Sequence, residues 1–229
     1  MGWTESLAAT GVAKLAAFVC VTRMQTEIVD VLGIGGRQRA LELLKSGCLV
    51  AFPTDTVYGL AAYPWNEDAV QRLYRVKERP RELPIPLLLS DAQEINRVAM
   101  LPEQCRKLPQ RFWPGGLTLV LSKKASVSRS ITDRPTVAVR VPDLPLARDI
   151  IRRAGGILAV TSANMSGAPS PITAHDVEKQ LGGRIALILD GGPCRAGVPS
   201  TILDCSVSPP VILRHGIIGE EELHAVINR

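Results

Sequence analysis

Aromatic residues are scarce in this 229-residue sequence, with three each of Phe, Trp and Tyr. So few rings exclude a surface that stacks successive bases on aromatic side chains. A protein-built metal site is not indicated either. Cys20, Cys48, Cys105, Cys194 and Cys205 lie far apart with no C-x-x-C spacing, and His175, His215 and His224 form no H-E-x-x-H pattern. The thiols therefore read as reduced, mostly buried groups of a cytoplasmic protein. A membrane span is excluded as well: the longest apolar run, Leu7 to Val21, contains Thr10 and Gly11 and is broken by Lys14. The same run is a poor signal peptide, because only Glu5 precedes it and no A-x-A pattern follows. Met24 is an alternative start, so residues 1–30 are expected to be an extension ahead of the main domain. Standard nucleotide and hydrolase motifs are missing too. There is no G-x-x-x-x-G-K-[ST] loop, GIGG at 33–36 lacks the third glycine of a dinucleotide fingerprint, and no G-x-S-x-G elbow occurs.

What is present is a hydrophobic fraction of 46% and 27 Lys+Arg against 22 Asp+Glu, a net charge of +5. That is enough apolar material for a substantial core, with a modest basic excess. Helical and strand patterns alternate and no long linker interrupts them, which predicts a single α/β domain over 31–229. Helices are expected at Gly36–Ser46, from an Asn66 cap to Pro80, from Pro145 to Ala154, from a Thr173/Asp176 capping box to Gly182, and at Glu220–Asn228. Strands are expected at Cys48–Phe52, Ile85–Leu89, Leu117–Ser122, Thr136–Val141, Ile157–Thr161, Ile185–Asp190, Ser200–Cys205 and Val211–Arg214. Continuous apolar strands are covered on both faces, so the fold class is a twisted mixed β-sheet with helices on both sides.

Ligand-binding groups in such sheets gather where strands end. Pro53 to Leu60, PTDTVYGL, is either an Asp/Thr turn before a helix or a polar ligand cradle. Between Arg72 and Arg81 stand Arg72, Arg75, Lys77, Arg79 and Arg81 against the single acid Glu78. A helix dipole accounts for a few tenths of a kcal/mol per exposed charge near a helix end, and not for cations beyond Pro80. A phosphate clamp accounts for both, and a solvated charged face is the alternative. TSANMSG, 161–167, offers Ser162 and Asn164 after a buried strand. In TVAVRV, Val137 and Val139 share one face while Thr136, Ala138 and Arg140 share the other. A guanidinium there must meet a carboxylate or a bound anion, and Arg214, closing VILR, raises the same pair of options. These residues outline an anion pocket with no obvious nucleophile.

Taken in order, PTDTVYGL, Lys77-Glu78-Arg79-Pro80, FWPGGLTLVL (112–121), VAVRVPD (137–143), SANMSG (162–167), STILD (200–204) and LRHG (213–216) resemble the YrdC-like family of threonylcarbamoyl-AMP synthases. The likeness runs from about residue 36 to the C-terminus, and its hallmark is the K-x-R and S-x-N pair Lys77, Arg79, Ser162 and Asn164. It implies a single-domain sheet with a basic concave cavity. The implied reaction makes L-threonylcarbamoyladenylate and pyrophosphate from L-threonine, bicarbonate and ATP, for the threonylcarbamoyladenosine modification of tRNA. Thr56, Arg140 and Ser200 are implied as threonine contacts. Lys77, Arg79, Thr136, Ser162, Asn164, Ser170 and Arg214 are implied as ATP contacts, with Lys77 and Arg79 acting on the phosphates. Mg2+ would accompany ATP without a dedicated protein metal site, and tRNA-modifying proteins would take the product onward. Leu83, Leu88 and Gly116 depart from the family pattern, and the extra domain of long members is absent from this sequence. Two further readings remain: a non-catalytic module binding tRNA or double-stranded RNA, and the carbamoyl-adenylate chemistry of hydrogenase maturation.

Overall fold

In the computed structural model, which describes residues 25–33 and 35–227, eleven strands form one mixed sheet. Numbered along the chain, they are β1 (Glu27–Asp30), β2 (Val50–Phe52), β3 (Gly59–Ala62), β4 (Leu87–Leu89), β5 (Ala99–Met100), β6 (Leu117–Lys123), β7 (Thr136–Arg140), β8 (Ile157–Ser162), β9 (Leu187–Asp190), β10 (Thr201–Asp204) and β11 (Val211–Arg214). Their order is β1-β9-β2-β3-β8-β4-β7-β6-β10-β11, with β5 alongside β6. Parallel pairs (β1 with β9, β2 with β9, β4 with β7, β6 with β10) mix with antiparallel ones, as the sequence pattern predicts. The first 24 residues and Asn228 lie outside the described residues. The expected boundary near residue 30 falls immediately after β1, which pairs with β9 over Glu27–Asp30.

Seven α-helices are described: α1 (Gly36–Lys45), α2 (Glu67–Lys77), α3 (Ile95–Val98), α4 (Lys107–Phe112), α5 (Pro145–Arg153), α6 (Ala174–Leu181) and α7 (Glu220–Ile227). Their ends follow local chemistry. Asn66 Oδ1 accepts from Ala69 N at 3.1 Å, with Glu67 and Asp68 in the positive first turn of α2. Thr173 and Asp176 satisfy each other's backbone N–H groups in a capping box at α6. Two expectations need correction. Helix α2 ends at Lys77 rather than at Pro80, because Glu78 turns left-handed (φ 51°) and Arg79, preceding a proline, is pushed out of the helical region. PTDTVYGL runs into strand β3, antiparallel to β2, and not into a helix.

The two faces of the sheet are covered unequally. One face packs along most of its length against α2, α4, α6 and α7 through Ala69, Val70, Leu73, Leu108, Phe112, Val177, Leu181 and Leu223. On the other face, α1 and α5 cover only the half around β9, β2, β3 and β8, through Leu41, Leu44, Ile150 and Ile151 against Val50, Phe52, Leu158 and Val160. Among the described residues no helix covers the remaining half of that face, on β7, β6, β10 and β11. Its side chains are the floor of a cavity.

Candidate active site

Strand alternation builds the floor. In β7, Val137 and Val139 point into the core while Thr136, Ala138 and Arg140 face the cavity. In β6, Leu117, Leu119 and Leu121 are core while Thr118 and Val120 face the cavity, and in β10 Leu203 is core while Ile202 and Asp204 face it. The register places Asp204, Val120 and Ala138 in one row across three strands. Arg140 and Thr136 stand four residues apart on β7, so the floor is roughly 13 Å long between them. The walls come from PTDTVYGL, the 79–84 loop, the 160–162 strand end, Ser170 and the 199–200 segment. The enclosed volume is about 420 Å³, within the usual range of about 300–1,000 Å³ for small-molecule sites.

Arg140 occupies one end and is 6% exposed. Its Nη2 donates to Asp55 Oδ1 at 2.6 Å, its Nη1 to Thr56 Oγ1 at 2.8 Å and its Nε to the Gly115 carbonyl at 2.8 Å. Burial pulls its pKa down while the Asp55 carboxylate opposes that. Of the two options left by the sequence, the structure shows the internal carboxylate, and it does so without closing the other. A guanidinium has five N–H groups, and three are used here. Thr54 completes the cradle, with its Oγ1 3.0 Å from Thr56 Oγ1 and donating to Val57 O at 2.7 Å. Ser200 Oγ lies 2.8 Å from Thr118 Oγ1.

Arg214 reaches the same end from β11. It donates to the Ser200 carbonyl through Nη2 at 2.8 Å and Nε at 3.2 Å, and to Ser200 Oγ at 3.2 Å. Partial burial and the Arg140 charge both lower its pKa. Two cations that disfavour each other in one cavity are what an anionic ligand would relieve.

Lys77 and Asn164 are placed one layer behind the lining. The Lys77 side chain is 1% exposed, and its Nζ donates to Ser162 O at 2.5 Å, to Asn164 O, and to Asn164 Oδ1 at 3.4 Å. Asn164 Nδ2 in turn donates to Met165 O and Ala168 O, which fixes the turn. Burial, with a smaller push from the Arg79 charge, lowers the Lys77 ammonium to about 7. Arg79 does line the cavity, and it ties Leu83 O and Pro84 O through Nε and Nη2 at 3.0 Å each. Thr56, Thr136, Ser162, Ser170, Ser200 and Arg214 all line the same space. Leu83 and Leu88 line it too, Leu88 beside Arg140 in the β4–β7 register. A Cβ at Gly116 would sit 2.1 Å from Ile217 Cγ2, so a larger residue there would need the Ile217 side chain to shift.

Sequence reasoning missed Asp55 as the partner of Arg140, Thr118 and Asp204 on the floor, and Arg134 on the wall. Asp204 shares strand parity with the candidate Ser200, which was a usable signal, whereas the Leu117–Ser122 strand held no candidate to mark Thr118. Asp55 gave no such signal, because its pairing with Arg140 is a tertiary contact.

The profile of the family described as Telomere recombination, named for Sua5, YciO and YrdC, matches residues 42–216. The chain is 44% identical over 210 residues to a threonylcarbamoyl-AMP synthase of Bacillus subtilis, covering 90% of this chain and 61% of that protein. It is 44% identical over 190 residues to a threonylcarbamoyl-AMP synthase of Pyrococcus abyssi, covering 82% and 56%. Among solved structures, P. abyssi Sua5 complexed with L-threonine superposes with a TM-score of 0.85 at 42% identity, covering 88% of this chain and 61% of that one. The chain thus spans about three fifths of the length of these relatives. With the family profile covering most of the described sheet and the cavity upon it, this chain belongs to the Sua5/YciO/YrdC family.

Proposed function

We propose that the cavity is the active site of a threonylcarbamoyl-AMP synthase. The observation that carries this reading is the two-ended cavity itself. At one end a buried guanidinium, immobilised by Asp55 and Thr56, stands beside the hydroxyls of Thr56, Ser200 and Thr118. Toward the other, Arg79, Ser162, Ser170 and Thr136 line the same cavity of about 420 Å³. The first set suits an amino acid with a carboxylate and a hydroxyl, and P. abyssi Sua5 is known in complex with L-threonine. The second suits ATP.

On this reading the threonine amine, deprotonated, adds to CO2 or bicarbonate to give a carbamate, with water lost when bicarbonate is the donor. A carbamate oxygen then attacks the α-phosphorus of ATP, forming the P–O bond of threonylcarbamoyl-adenylate as the bond to pyrophosphate breaks. The residues do no covalent work. Thr56, Arg140 and Ser200 orient threonine. Lys77, Arg79, Thr136, Ser162, Asn164, Ser170 and Arg214 form the ATP subsite, Lys77 and Asn164 by shaping the 162–168 turn. Holding two reactants in line contributes several kcal/mol to rate, and fixed cations stabilise the charge that moves onto the leaving group. Mg2+ would enter on the ATP phosphates, which need few protein ligands. Asp204 is the carboxylate of the lining, and among the described residues no group of three His, Cys, Asp or Glu is arranged to hold a metal. The product would pass to tRNA-modifying proteins of the cytoplasm. No helix among the described residues is long and apolar enough to cross a membrane.

The test is incubation of the pure protein with MgATP, labelled bicarbonate and L-threonine. Threonine-dependent pyrophosphate and a labelled adenylate are expected. Pyrophosphate release that ignores threonine, or none, would refute the reading.

A further inference from the structure

We propose that Arg134 is an additional phosphate-binding residue of this cavity, gripping the terminal phosphates of ATP together with Arg79. The inference rests on the ATP-dependent reading above. Arg134 precedes β7 by two residues, and Arg134, Thr136, Ala138 and Arg140 all line the cavity, so the outward alternation of the strand continues past its end. By strand spacing Arg134 stands roughly 20 Å along the chain from Arg140, on the far side of Thr136. That is the end away from the buried guanidinium assigned to the amino acid.

Two arginines from different loops meet there on one piece of backbone. Arg134 Nη2 donates to Glu82 O at 3.1 Å, while Arg79 donates to the next two carbonyls, Leu83 O and Pro84 O. The loops are braced against each other. The Tyr74 hydroxyl lies 3.2 Å from Leu83 O and 3.3 Å from Ile131 O, Ile85 N donates to Ile131 O at 3.2 Å, and Lys123 Nζ donates to Thr132 O at 2.8 Å. Thr132 Oγ1 accepts from Arg134 N at 3.1 Å. Arg134 is exposed, yet its base is held in place.

Neither arginine bonds a carboxylate among the described residues, although the acids Glu82 and Asp133 flank Arg134 in sequence and space. Arg134 uses one of its five N–H groups on Glu82 O, and Arg79 uses two. The rest make no protein hydrogen bond among the described residues, both side chains line the cavity, and a guanidinium fork suits phosphate oxygens. A need for them exists. ATP brings a triphosphate of high negative charge, Lys77 Nζ is turned onto Ser162 and Asn164 oxygens, and Arg140 is held by Asp55 at the amino-acid end. That leaves Arg79 and Arg214 to meet the charge of the leaving pyrophosphate, and Arg134 adds a third cation.

The experiment measures binding of MgATP and of AMP by calorimetry to the intact chain, and threonine-dependent pyrophosphate release in parallel. Arg134→Ala is expected to weaken MgATP about tenfold, the loss of one exposed charge-assisted contact, while AMP binding stays as in the parent chain. Arg134→Lys should recover part of the loss. Arg129→Ala removes an exposed arginine from the same loop without touching the lining, and should leave both ligands unchanged. Unaltered MgATP affinity in Arg134→Ala would overturn the proposal, as would an equal loss for AMP and ATP. If the parent chain neither bound MgATP nor released pyrophosphate with threonine, the ATP-dependent reading would fall and this inference with it.

Discussion

At the scale of single residues, the Asp55–Arg140 pair sets the character of the amino-acid end. Both groups are buried, and a buried pair is destabilised strongly when one partner is removed because the other charge is stranded. Asp55→Ala should lower unfolding free energy by about 3 kcal/mol and raise the threonine KM, with ATP binding less affected. Asp55→Asn keeps an acceptor for Arg140 while losing the charge, so it separates orientation from electrostatics. A threonine KM raised in Asp55→Ala but near normal in Asp55→Asn would mean that Asp55 acts by holding the guanidinium still. Denaturant titration and steady-state kinetics on both variants check this.

Lys77 makes a second prediction, and its sign can be worked out. Its pKa falls from the ordinary lysine range to about 7 on folding, so between roughly pH 7 and 10.5 the unfolded chain holds more protons at this site than the folded one. Its contribution to stability therefore grows as pH rises through that window. Polyphosphate binding runs the other way, because a bound anion favours the ammonium form and raises the pKa. ATP binding near pH 8 should take up a proton, and affinity should decline as pH rises above about 7. Calorimetry in buffers of different ionisation enthalpy reads the uptake directly. Lys77→Met should abolish it, and uptake persisting in that variant would assign the proton elsewhere.

At the scale of elements, much was legible. The TVAVRV alternation predicted which face of β7 is core and which is polar, and the structure keeps that division at every position. The caps at Asn66 and Thr173 were readable because they depend on side chains three residues apart. Strand β3 was not, because GLAA carries no alternation and buries both faces, so only its pairing with β2 and β8 identifies it. The β10–β11 bulge at Ile202/Leu203 was equally invisible, yet it helps to turn Arg214 toward Ser200. Gly216 ties that geometry down. A Cβ there would lie 2.4 Å from Pro199 O and 2.5 Å from Ser200 C and Thr201 N, all backbone atoms that cannot swing aside. Gly216→Ala should cost about 2 kcal/mol of stability and weaken ATP binding by displacing Arg214. A thermal melt paired with ATP titration tests both halves, and an unchanged ATP affinity would show that Arg214 does not depend on this turn.

For the whole molecule, the incomplete helical cover of one sheet face explains why a modest net charge of +5 is functionally concentrated. The lining holds Arg79, Arg134, Arg140 and Arg214 against Asp204, with Asp55 paired to Arg140 just behind it, so the cavity carries a net positive charge while the exterior mixes both signs. Sequence composition showed the excess but not its location, since two of these arginines lie on loops that only the folded sheet brings together. The field at the phosphate end, where Arg79 and Arg134 approach solvent, is screened by salt, whereas Arg140 is enclosed and screened far less. The Debye length shrinks from about 10 Å at 0.1 M to about 3 Å at 1 M salt. Over that range ATP affinity should fall by roughly an order of magnitude while the threonine KM changes much less. A double-stranded RNA, by contrast, cannot enter a cavity of about 420 Å³ and would have to bind the outer surface. Duplex RNA should therefore fail to displace a fluorescent ATP analogue from the protein. Equal salt sensitivity for the two small ligands, or competition between RNA and the analogue, would place the phosphate-binding cations on the surface instead of in this cavity.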